Sequence, residues 1–349
     1  MTRINSSRIN WVDSMKAFSI MAVVLFHTQI RPEIKTATYL VCLPAFFFVA
    51  GLFTNTQLSP KAFFLKKTVR LLIPYIIWGL LAWVFWFFVS SRFGNSIEND
   101  IAWWRPILGL IFGKVDMLCQ NVPLWFLCCM ISLEWIYFIV CQFRQQWLRW
   151  LLIIMLCVTG CILSYLKQNW VWEISSAFII LPIYAIGAEF SLFFKTKAEQ
   201  ISTSILISLL VFSLIGLGVG YTYNNTIRLS VSFIGNPILY YVTALSAVGI
   251  WLSISLIIRN YDCWATHLLQ YIGQNTLFIL CTHVPTFSII KGIAFICAIP
   301  LQFFETTIGC LVLWTCTFII LLPLAYLVNR YCPILVGKTQ TTNGLKRFY

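Results

Sequence analysis

The chain has 349 residues, 60% of them hydrophobic and 10% charged, with a net charge of +13 and a mean hydropathy of +0.85. Soluble domains average roughly 45–50% apolar and about 25% charged residues, so this composition excludes a soluble protein and requires an integral membrane one. The basic residues gather at the ends of apolar runs, as topogenic and headgroup-contacting residues do, which argues against a nucleic-acid partner and for membrane lipids.

A hydrocarbon core of about 30 Å takes roughly 20 helical residues. Ten runs meet that length: 14–30, 36–56, 70–91, 122–141, 148–166, 174–194, 203–222, 238–258, 270–290 and 306–329. Residues 291–300 are also apolar and read as an interfacial or re-entrant piece. The pattern predicts an all-α integral membrane protein of about ten transmembrane helices, one domain over 1–337 with a short cytoplasmic tail at 338–349. The stretch after Cys332 is polar and reads as disordered. The first run follows Asp13 and Lys16, with no small-x-small cleavage site before a soluble domain, so it reads as a retained anchor. With the N-terminus inside, fifteen Lys and Arg fall on the cytoplasmic side and eight outside, with Lys16 in the first helix; both termini are expected in the cytoplasm.

The single long loop, about 92–121, is expected outside and carries Glu98, Asp100, Asp116 and the pair Trp103 and Trp104 before Arg105. Tryptophan beside arginine reads first as an interfacial anchor, and more sharply as a platform for stacking on a sugar. The thirteen cysteines show no metal-ligand spacing, and Cys128 and Cys129 sit side by side in an apolar run. They read as small hydrophobes, so neither a metal site nor a disulfide framework is expected.

Ionisable groups inside a bilayer are costly, which makes each a functional candidate. In the first run, Asp13, Lys16 and His27 fall within about 60° of one another on one helix face, with Lys16 and His27 about 16 Å apart along the axis. His283 lies at a similar expected depth in the ninth run, and Glu134 lies within the fourth. A lone intramembrane histidine reads as well as an interhelical staple as it does a base. Two at one depth, near a buried acid, favour proton chemistry, because imidazole takes up a proton near neutral pH. Glu134 either orients a histidine or packs protonated between helices. Lys67 and Arg70, three apart at the start of the third run, share a face. They could grip a phosphorylated cytosolic ligand, or simply be part of a basic cytoplasmic loop.

At these residues the chain resembles the membrane-bound acyltransferase-3 family, most closely its fucose 4-O-acetylase-like branch. That family opens with an acid, a basic residue and a histidine eleven positions on, as in Asp13, Lys16 and His27, although Arg is common where Lys16 stands. Its Arg-x-x-Arg at the third helix is similar to Lys67 through Arg70. Its Pro-x-Phe-Phe-Phe-x-x-Gly resembles Pro44 to Gly51, and its Trp-Phe-Leu resembles Trp125 to Leu127. Tyr184 to Gly187 is similar to a glycine pattern in the sixth helix, and Gly273, Asn275 and Thr276 leading to His283 resemble a late motif.

The resemblance implies a ten-helix enzyme of the bacterial cytoplasmic membrane that moves an acetyl group from cytosolic acetyl-CoA to a hydroxyl of a surface glycan, with no metal. Lys16, Lys67 and Arg70 would hold the donor, and His27 would act on the transfer, with His283 and Glu134 in support. Asp13, Trp125 and Asn275 would line the cavity or the acceptor side. The competing reading is a transporter or flippase for a glycan or lipid, since buried His and Glu also form proton relays; no repeated half with paired broken helices supports it.

Overall fold

Ten helices follow the ten apolar runs. A computed structural model describes residues 8–90 and 101–338; Arg3, Arg92, Glu98, Asp100, Lys346 and Arg347 lie outside that range. The helices are α1 (Asn10–Phe26), α2 (Pro32–Leu52), α3 (Pro60–Ser90), α4 (Val122–Val140), α5 (Gln146–Tyr165), α6 (Val171–Glu189), α7 (Thr203–Tyr223), α8 (Pro237–Asn260), α9 (Thr276–Ile296) and α10 (Thr307–Tyr331). Nine of them, α2 to α10, are long and apolar enough to cross a membrane among the described residues, and no strand forms there. α1 has 17 residues, about 26 Å at ~1.5 Å per residue, just under a hydrocarbon core of about 30 Å.

α1 corrects its expected limits. It starts four residues earlier, at Asn10, with Asp13 in the first turn where a negative charge meets the positive helix end. It stops at Phe26, so His27 is the C-cap rather than a mid-helix residue. The Thr28 hydroxyl donates to the Leu25 carbonyl at 2.7 Å. Pro32 then forces Arg31 into an extended conformation before α2 begins.

Prolines shape the other helices by removing an N–H. α2 resets at Leu43 because Pro44 cannot continue its ladder. α3 carries wide π-type turns at Thr68–Leu72 and Trp86–Ser90, the first immediately before Pro74. The α2–α6 crossing is made by Gly51, which backs onto the Tyr184 carbonyl, and Gly187, which backs onto that of Phe48. Small residues allow such close approach in a bilayer, where apolar burial alone gives helices little reason to associate.

Two segments differ from expectation. The apolar stretch after position 290 continues α9 to Ile296, and α9 is preceded by a separate helix, Trp264–Gln274, with the break at Asn275. The polar stretch after Cys332 folds back: Pro333–Val336 forms a turn whose Leu335 carbonyl accepts from the Trp78 indole at 2.8 Å. Trp103 and Trp104 are exposed ahead of a short helix, Arg105–Phe112.

Candidate active site

At one end of the molecule, Asp13 is buried and accepts from Lys16 Nζ at 2.7 Å and from Arg8 Nε at 2.6 Å. Gly273, on the Trp264–Gln274 helix, lies against the Asp13 backbone so closely that no Cβ fits between them. Asn275, in the break that follows, donates from Nδ2 to the Tyr271 carbonyl at 2.8 Å and accepts from Asn329 Nδ2 at 2.7 Å. Asn329 accepts in turn from Lys338 Nζ. Asp13 and Asn275 therefore stand at the same basic end as Lys16.

Lys67 and Arg70 separate. Arg70 is exposed. Lys67 is buried, with Nζ 2.5 Å from Glu134 Oε1 and 5.3 Å from the centroid of the Phe63 ring. Glu134, expected to orient a histidine or to pack protonated between helices, is thus paired with the Lys67 ammonium. A buried ion pair is weak evidence for stability but costly to break from one side, since it leaves an unpaired buried charge.

α1 leads away from this end to His27, whose ring centroid lies 5.1 Å from that of His283 at an interplanar angle of 54°. The His283 side chain is buried, with Nδ1 2.9 Å from the Ile279 carbonyl. A carbonyl only accepts, so Nδ1 carries the proton and Nε2 is left with its lone pair. Nε2 is buried with no hydrogen-bond partner among the described residues. Two residues further on, Pro285 cannot bond the Cys281 carbonyl. Asn121 supplies the missing donor, Nδ2 to that oxygen at 2.7 Å, and ties the start of α4 to α9 beside the histidine. Trp125 is buried one turn along, against Phe126. Phe26 packs edge-on to His27, and Lys35 lies over Phe26.

Asn121 and Lys338 have no motif marking them in the sequence. The signal for Asn121 is physical: a proline at 285 frees a carbonyl that some donor must meet. A cavity of about 630 Å³ opens between α3, α4 and α6, lined by Phe64, Lys67, Trp135 and Trp172 among others. Neither imidazole lines it.

A helical membrane protein with a cationic rim at one end and an imidazole pair at the far end of its first helix is the class that fold and site define. A family model described as an acyltransferase domain matches residues 9–330, and the chain belongs to the acyltransferase-3 family, as an acyltransferase. No curated protein and no solved structure matches it.

Proposed function

We propose that the protein transfers an acetyl group from cytosolic acetyl-CoA to a sugar hydroxyl of a cell-envelope glycan, across the bacterial cytoplasmic membrane. The observation that carries this reading is the disposition of α1. It begins in the cations that hold Asp13 and ends in the imidazole pair, with about 16 Å of helix between Lys16 and His27. A donor with a phosphorylated head and a thioester on a long flexible arm fits that separation. The rim holds the phosphates and the arm brings the thioester to the histidines.

A sugar hydroxyl is a poor nucleophile at neutral pH, whereas a thioester is already activated. His27 removes the hydroxyl proton as the oxygen attacks the carbonyl carbon. The carbon–sulfur bond breaks and the proton passes to the departing thiolate. His283 stands beside His27 with Nε2 free as a second acceptor. Burial keeps out water that would hydrolyse the donor.

The test is incubation of membranes containing the protein with radiolabelled acetyl-CoA and candidate glycans. Label on a sugar is the expected result. Glycan movement across the membrane without label would overturn it.

A further inference from the structure

The cation rim needs more than the motif residues supply. Lys67 is neutralised by Glu134 inside the protein. Of the family-like basic pair at the start of α3, only Arg70 is exposed at the rim. A diphosphate or a pair of separate phosphates calls for several cations.

The chain provides another from an unexpected place. After α10 the backbone turns at Pro333–Val336 and is pinned to α3 by the bond from the Trp78 indole to the Leu335 carbonyl. Val336 is buried, and Gly337, at φ +69°, backs onto the Arg70 carbonyl, leaving no room there for a side chain. That carbonyl is the one Pro74 cannot bond in the α-helical pattern. Position 338 thereby follows directly on the residue that is seated against the Arg70 backbone. Its ammonium is oriented by Asn329, which is itself held by Asn275.

We infer that Lys338 is a phosphate-binding cation of the donor site, acting with Lys16 and Arg70, and that Asn329 and Asn275 position it. The inference rests on the donor reading given above. Lys338 lies within electrostatic range of Arg8, Lys16 and Asp13, and Lys16 within range of Arg70. Asp13 is the sole carboxylate interacting with both lysines among the described residues, so the rim is left with unbalanced positive charge. Burial pulls the Lys338 ammonium below the ordinary lysine value, Arg8 and Lys16 add to that, and Asp13 opposes it. A bound anion would relieve that repulsion. The family match ends at Arg330, so the turn bearing Lys338 lies beyond the matched stretch.

The phosphate could belong to a coenzyme or to an anionic lipid headgroup, and the experiment separates them. The full chain is placed in nanodiscs of phosphatidylcholine, and CoA binding is measured by calorimetry for wild type, Lys338→Gln and Lys338→Arg. Losing a charge-assisted phosphate contact should raise the Kd about 10- to 100-fold in Lys338→Gln. Lys338→Arg should recover most of it, which loss of folding would not allow. Equal CoA affinity in wild type and Lys338→Gln would overturn the inference while leaving the donor reading intact. So would a Lys338→Gln defect seen only in phosphatidylglycerol discs, which would assign the residue to lipid. Wild type that binds no CoA would remove the donor reading and this inference with it.

Discussion

His283 commits one ring nitrogen to its own helix and keeps the other free. That division suits a proton acceptor, because the bond to the Ile279 carbonyl fixes the tautomer and the ring position together. If His27 and His283 share the work of one base, His27→Ala should reduce acetyl transfer by roughly 100- to 10,000-fold while membrane insertion is unchanged. His283→Ala should fall in the same range, and the double variant should lose little beyond the worse single one. Additive losses in labelled-acetate transfer would mean that the two rings act independently. Glu134 and Lys67 allow a separate test. Glu134→Ala strands a buried ammonium and should cost about 3–5 kcal/mol of stability, with much of it regained in Lys67→Met combined with Glu134→Ala. Melting curves for the two variants in detergent decide whether the pair has formed as described. The residues themselves were visible in the sequence, since few charges lie in the apolar runs. Their pairing was not, because Lys67 and Glu134 are 67 positions apart and meet only through the packing of α3 on α4.

At the scale of elements, hydropathy located every span and misjudged several ends. Asp13 and Lys16 are polar and so fell at the margin of the first run, yet they lie inside α1 because they neutralise each other. The break at Asn275 falls within the polar stretch Gly273 to Thr276, which is too short to divide the apolar run drawn over 270–290. The turn after Cys332 was hidden because its grip on α3 uses backbone groups, the Leu335 carbonyl and Gly337, which leave no trace in composition. The crossing of α1 by the Trp264–Gln274 helix depends on a bare Cα at position 273. Gly273→Ala should push that helix off the Asp13 carbonyl, at about 1–3 kcal/mol for an overpacked contact. It should also weaken CoA binding, because the Asp13–Lys16 pair moves with the backbone. A variant with wild-type melting and wild-type CoA affinity would show that the contact has slack.

Over the whole molecule, prolines recur where function is expected. Pro74 and Pro285 each free a carbonyl, at opposite ends of the proposed path, and a distant part of the chain closes on each: Gly337 at Arg70, and Asn121 at Cys281. Local helix defects thus become the points at which remote segments are joined, and both junctions lie beside residues assigned to the transfer.

The brevity of α1 sets a length scale for the path inside the bundle. At 17 residues it is the shortest of the ten helices and the one on which both ends of the proposed reaction are mounted. None of its residues 11–26 is exposed, so α1 lies inside the bundle and ends short of a hydrocarbon core of about 30 Å, and an acceptor has to enter part of the bilayer's depth to meet His27. Reconstitution into bilayers of increasing acyl-chain length should therefore show turnover falling as the membrane thickens, with CoA affinity unchanged because the rim remains at its own interface. Turnover independent of thickness would indicate that the acceptor reaches His27 without entering that depth.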